Sequence, residues 1–174
     1  MRALGPGSVS SFLKIILDVV FAALWIGLGA VALALLAALL FSFNPDLFPK
    51  VMSREAATVA NNGPLFAGTL LVFGLSIGGV LVIVYSLRQI FMTLTAGDPF
   101  HPQNVRRLRL IGLMLAALEL GRYAVWGFMP MLPGIRRAEP NFNLTAWFSV
   151  LVVFVLAEVF REGARLRREA ELTI

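Results

Sequence analysis

Residues 96–110 read AGDPFHPQNVRRLRL, and this polar, basic stretch divides an otherwise apolar sequence into two halves. Gly97 followed by an Asp-Pro pair is typical of a helix end and a turn, and Pro102 suits the first position of a new helix. The stretch therefore predicts a connection between two helices, which we call the hinge (residues 96–109). His101 would then occupy the N-terminal capping position of the helix that begins at Pro102, where Ser, Thr, Asp or Asn is usual.

The composition points to a lipid environment. Of 174 residues, 59% are hydrophobic and only 14% are charged, whereas a soluble domain carries about 25% charged residues. A single domain of this length cannot bury so much apolar surface by itself, so we expect lipid to cover the remainder. The absence of cysteine excludes disulfides, thiolate metal sites and cysteine nucleophiles.

Four apolar runs predict four membrane-spanning helices, at about residues 14–41, 65–92, 110–131 and 143–161. The first run is too long for the apolar region of a signal peptide, which covers about 7–15 residues. A charged tail of helical character follows at residues 162–174. We therefore expect one membrane domain over residues 1–174, an all-α integral membrane four-helix bundle.

The distribution of Lys and Arg predicts the orientation. Placing both termini and the hinge on one side gives that side Arg2, Lys14, Arg88, Arg106, Arg107, Arg109, Arg161, Arg165, Arg167 and Arg168. The opposite side receives Lys50, Arg54, Arg136 and Arg137, and Arg122 falls within a span. Because cytosolic loops are enriched in positive charge, the termini, hinge and tail are expected in the cytosol. The same placement makes anionic lipid headgroups the expected partner of the basic residues, with no direct nucleic-acid contact.

Two charged residues in the third run, Glu119 and Arg122, are spaced to share one helix face. Charges within a bilayer are costly and need a partner, water or a function. Two interpretations stay open: a structural ion pair that fixes the rotation of the helix, or a proton- or ion-coupling site of a small transporter.

A second set of charged residues lies at similar depth near the predicted cytosolic helix ends. It comprises Asp18, Arg88 and Glu158, with Arg161 nearby. These side chains could form one cluster between the first, second and fourth helices, or they could extend separately to the headgroups.

No catalytic arrangement is recognisable in the sequence. His101 is the one histidine, no cysteine accompanies it, and neither a P-loop nor a dinucleotide-binding glycine pattern occurs. We therefore expect a protein that is not an enzyme and that holds no metal or cofactor. Small residues on the apolar helices suit packing within one chain and between chains equally, so the sequence favours no oligomeric state.

Two stretches resemble a known family. The first is GDPF at 97–100 with Asn104 and RLRLIG at 107–112, and the second is EVFREGARL at 158–166 with Glu169. Both are similar to the small bacterial four-helix membrane proteins of domain-of-unknown-function family 2975. The resemblance implies the bacterial plasma (inner) membrane as the location and no established activity. It also implies a regulatory pairing, because genes of the family often adjoin one for a small helix-turn-helix regulator.

The leading hypothesis is a non-enzymatic regulatory or interaction protein whose hinge and tail bind a soluble cytosolic partner, such as a helix-turn-helix regulator. The candidate docking residues are Asp98, Phe100, Asn104, Arg107, Arg165 and Glu169. The alternative is a small transporter or channel component that uses Glu119 and Arg122 inside the membrane.

Overall fold

The computed structural model describes residues 9–43, 63–128 and 142–172, and the regular elements in these ranges are all α-helices. They are α1 (Val9–Phe43), α2 (Gly63–Thr95), α3 (Pro102–Phe128) and α4 (Leu144–Glu171). Within the described residues the protein is all-helical with four helices, as predicted. The loops expected after the first and third runs lie outside the described residues.

Three of these helices are long and apolar enough to cross a membrane, over Phe12–Leu40, Phe66–Thr95 and Leu144–Ala170. Large apolar side chains on them are exposed, as with Ile26 at 74%, and such surfaces require an apolar surrounding. Helix α3 is not among the three candidate spans, and its apolar part contains the charged residues Glu119 and Arg122. A fourth span at 110–131 therefore stays a prediction.

The chain divides into two compact units, of which the first holds Met1–Val19 and Val82–Ile174. Within it, α3 and α4 pack against each other, and Gly112 of α3 allows close contact because an added Cβ would lie 3.1 Å from the Phe154 ring. The core joins these two helices to the end of α2. It consists of Ile90, Leu108, Ile111 and Ala157.

The second unit, Val20–Leu81, contains the remaining parts of α1 and α2. These helices approach each other at Gly74, where an added Cβ would lie 3.4 Å from Cγ1 of Val31. Ala38 is buried in this unit. Small side chains therefore occur where helix surfaces meet, as expected for packing between apolar helices.

The end of α2 forms a Schellman cap around Gly97, which has a φ of 84°. The Gly97 N–H donates to the Leu94 carbonyl (3.1 Å), and the Asp98 N–H donates to the Thr93 carbonyl (3.0 Å). This pair of bonds satisfies carbonyls that the last helical turn leaves without intrahelical donors. The predicted helix end at Gly97 is confirmed.

Gly97→Ala is expected to lower the free energy of unfolding by about 1 kcal/mol, because an L side chain is strained at positive φ. An added Cβ meets nothing within 4 Å at this position, so the loss comes from the backbone alone. Thermal unfolding of the detergent-purified protein by circular dichroism measures it. Gly121→Ala is the matched control, because its Cβ also meets open space in a helical backbone. Equal melting temperatures for the two variants would contradict the capping role.

Candidate functional site

His101 caps the first turn of α3. Its Nδ1 accepts a hydrogen bond from the Gln103 N–H (3.2 Å), and its carbonyl accepts one from the Asn104 N–H (2.8 Å). The imidazole therefore performs the function that a Ser or Asp side chain usually performs at this position. Helix α3 begins at Pro102, as predicted.

Asn104 is fully buried, with 0% of its surface exposed. Its Nδ2 donates to Thr93 Oγ1 (2.7 Å) and to the Pro99 carbonyl (3.0 Å), and its Oδ1 accepts from an Arg107 NH group (3.1 Å). The amide thus joins the end of α2, the hinge and the first turn of α3. Asn104 was predicted as a docking residue, but its burial leaves no surface for a partner, so that assignment was wrong.

Arg107 is half-buried and faces α2. Its guanidinium donates to the Gln89 carbonyl (3.1 Å), to Asn104 Oδ1 (3.1 Å) and to Gln103 Oε1 (3.1 Å). The hydrogen bond from the charged guanidinium to the Gln89 carbonyl holds α3 against α2 at this point. Among the predicted docking residues, Arg107 and Asn104 therefore hold the hinge in place.

The hinge contacts the C-terminal part of α4 through two side chains. Asp98 forms an ion pair with Arg167, and the ring of Phe100 packs against that of Phe160 with centroids 5.7 Å apart. Phe100 also lies over Gly163, where an added Cβ would be only 2.6 Å from ring carbons. The hinge and the last turns of α4 consequently form one packed surface.

Arg165 and Glu169 are the most exposed of the predicted docking residues. Arg165 pairs with Glu169 (3.2 Å) and also with Glu162 (3.0 Å), and its side chain is 65% exposed. Arg165 and Glu169 lie four residues apart, a spacing that places side chains on the same face of a helix. Such exposed pairs add little stability, so these side chains remain available to a partner.

A groove of about 470 Å³ lies between the first turns of α3 and the last turns of α4. Its charged lining consists of Arg106, Arg109, Arg161, Glu162, Arg165 and Arg168. Arg106, Arg109 and Arg168 belong to none of the sites predicted from the sequence. Their spacing was a usable signal, because arginines three or four residues apart on two helices share one face of each helix.

The charged residues predicted near the helix ends form ion pairs. Asp18 of α1 binds Arg88 of α2 at 2.7 Å. Glu158 binds Arg161 on the same helix, and it lies 3.9 Å from Arg109 of α3. The first pair joins α1 to α2, and the second group joins α3 to α4.

Glu119 and Arg122 form the ion pair that their spacing predicted. Glu119 is buried, with 8% of its surface exposed, and the Arg122 guanidinium lies over the Tyr123 and Trp126 rings at 5.3 and 4.6 Å. The Tyr123 hydroxyl in turn accepts from Trp147 Nε1 of α4 (3.3 Å). Both charges are therefore held within one helix and beside aromatic rings, which suits a structural ion pair.

The geometry defines a class: an all-helical protein with three candidate membrane spans and a charged surface where the hinge meets the end of α4. No group of three His, Cys, Asp or Glu residues that could hold a metal ion occurs in the described residues. The chain belongs to the family described as protein of unknown function DUF2975, whose profile matches residues 50–174. Searches of curated proteins and of solved structures give no significant match.

Asn104→Ala is expected to lower the free energy of unfolding by at least about 2 kcal/mol, because it leaves several buried polar groups without their hydrogen-bond partner. Gln103→Ala is the matched control: the neighbouring side chain is exposed and accepts only one bond, from Arg107. Thermal unfolding in detergent measures both. A smaller loss of stability for Asn104→Ala than for Gln103→Ala would contradict the inference that the buried amide holds the hinge between α2 and α3.

Glu119→Gln separates the two interpretations of the intramembrane pair. In a structural ion pair, the single change leaves the Arg122 charge unpaired, so the melting temperature should fall, and adding Arg122→Met should restore part of it. A coupling site predicts instead that both variants fold normally and lose proton- or ion-dependent flux in proteoliposomes. We expect the structural result, and flux lost at an unchanged melting temperature would contradict it.

Proposed function

We propose that this chain is a non-enzymatic regulatory or interaction protein of the bacterial plasma membrane. It spans the membrane four times, with both termini, the hinge and the tail in the cytosol. The hinge and the end of α4 together bind a soluble protein partner, for which a helix-turn-helix regulator is the first candidate.

One observation carries this proposal: two sequence stretches far apart in the chain build a single surface. The Asp98–Arg167 ion pair and the Phe100–Phe160 ring contact attach the hinge to α4. Helix α4 also continues without a break to Glu171, well beyond the predicted end of its apolar part. A charged helical segment of this kind suits recognition by a soluble protein more than lipid contact alone.

The charge pattern supports the orientation. The hinge and the last turns of α4 hold most of the arginines, and the excess of Lys and Arg lies on their side. Positive charge is retained in the cytosol during membrane insertion. The surface is therefore proposed to face the compartment that contains soluble regulators.

The exposed side chains of the surface indicate the kind of partner. Arg165 and Glu169 project from α4, and part of the Phe100 ring remains accessible, with 37% of the residue exposed. Exposed arginine and aromatic side chains are favourable interface residues. Arginine outnumbers acidic residues here, so the complementary partner surface is acidic.

Arg165→Glu should abolish recognition of such a partner. Reversing an exposed charge places like charges opposite each other, and we expect at least about ten-fold less partner bound. Partner capture is measured by crosslinking in native membranes followed by affinity purification of the full-length protein. The fold should persist, because the exposed pairs of Arg165 contribute little stability.

Arg136→Glu is the matched control, because the same charge reversal then falls on the predicted opposite side of the membrane. The proposal requires a partner that is retained by Arg136→Glu and lost by Arg165→Glu. A set of crosslinked proteins that is the same for both variants would refute it.

A further inference from the structure

We propose that the groove between α3 and α4 is a binding site for a phosphate-bearing anion. The anion is either the headgroup of an anionic phospholipid or a soluble phosphate compound, which share the chemistry that the groove recognises. Binding of the anion needs no protein partner, although Arg165 belongs both to the groove and to the surface proposed to bind a protein.

The shape of the groove suits a small ligand. It measures about 470 Å³, within the range of about 300–1,000 Å³ that small-molecule sites occupy. Arginines enter it from both walls: Arg106 and Arg109 from α3, and Arg161, Arg165 and Arg168 from α4. An anion in the groove is thus approached by guanidinium groups from opposite sides.

The arginines of the groove fall into two kinds. Arg109 and Arg161 both pair with Glu158, and Arg165 pairs with Glu162 and Glu169, so carboxylates fix the positions of these three side chains. Arg106 and Arg168 are exposed, and neither forms an ion pair with any residue that the structure describes. Their charges are therefore available to a ligand, and the arginines together outnumber the nearby carboxylates.

Guanidinium groups, rather than the start of α3, supply the recognition. The Gln103 and Asn104 N–H groups that a helix N-terminus could offer already donate to His101. A planar guanidinium donates two parallel hydrogen bonds to two oxygens of one phosphate group, a geometry that Lys cannot reproduce. Two uncommitted arginines on facing helices thus favour a phosphate over a single carboxylate.

The groove is also separate from the contacts that hold the hinge. Arg107 and Arg167 are the chain neighbours of Arg106 and Arg168, and they bind Gln89 and Asp98 instead. Changing Arg106 and Arg168 therefore leaves the hinge contacts intact. Arg165 contributes to both proposed functions, so the experiment leaves it unchanged.

The test uses the full-length protein purified in an uncharged detergent. Short-chain phosphatidylglycerol and inorganic pyrophosphate are titrated separately, with short-chain phosphatidylcholine as the zwitterionic reference, and binding is measured by calorimetry. Arg106→Gln with Arg168→Gln should weaken binding of the anionic probe by at least about ten-fold, because charge-assisted hydrogen bonds are lost.

Arg2→Gln with Lys14→Gln is the matched control, because it removes the same charge from the same predicted side at the N-terminal end of the sequence, and not from α3 or α4. It should change the Kd by less than about two-fold, since charges that make no direct contact with the ligand act only through a field that salt screens. Binding of phosphatidylglycerol alone identifies a lipid headgroup as the ligand, and binding of pyrophosphate at comparable strength identifies a soluble phosphate. Equal losses in the two double variants, or no binding of either anionic probe, would overturn the proposal.

Arg106→Lys with Arg168→Lys tests the guanidinium geometry without changing the net charge. We expect a measurable loss of affinity for the anionic probe that is smaller than the loss caused by the Gln substitutions. Lysine keeps the positive charge but cannot donate the paired hydrogen bonds of a guanidinium group. Wild-type binding by this variant would overturn recognition through guanidinium groups. Circular dichroism melting of each variant shows that the fold is retained, and all of these results can be obtained whether or not a protein partner exists.

Discussion

The buried amide of Asn104 is the interaction on which the hinge end of the molecule depends. The chain must reverse between the end of α2 at Thr95 and the start of α3 at Pro102, and polar groups enclosed by such a reversal need partners. The amide provides them by binding the Thr93 hydroxyl, the Pro99 carbonyl and the Arg107 guanidinium. If an apolar residue of similar size replaced Asn104, no single side chain would hydrogen-bond to the end of α2, the hinge and the first turns of α3.

The position of the turn determines how the end of α4 packs. Once the Pro99 carbonyl is held, the neighbouring Phe100 ring lies over α4 at Gly163 and against Phe160. A Cβ at that point would lie 2.6 Å from the ring, so a larger residue would force the Phe100 side chain to move. The Asp98–Arg167 pair then adds a charged contact next to the aromatic one. The groove exists because this packing sets the first turns of α3 beside the last turns of α4.

The features predicted correctly from the sequence were those with local causes. Gly97 ends α2 and Pro102 begins α3 because each residue has a backbone preference that neighbours do not override. The Glu119–Arg122 pair followed from helical spacing alone. The burial of Asn104 could not be predicted in this way, since it depends on three segments that only the tertiary structure brings together. The groove was missed for a related reason: the arginine spacing marks one face on each helix, but only the tertiary structure shows that the two faces meet.

Neighbouring arginines in this chain have different functions because consecutive helical residues point about 100° apart. In α3, Arg106 faces the groove while Arg107 binds Gln89 of α2. In α4, Arg168 faces the groove while Arg167 binds Asp98 of the hinge. Treating each pair of consecutive arginines as one basic patch would therefore combine two different contacts. One arginine of each pair holds the hinge, and the other faces the proposed binding groove. Replacing both arginines of a pair would disturb the hinge and remove groove-lining charges at the same time. Only substitutions restricted to one helix face, such as Arg106 with Arg168, separate the two effects.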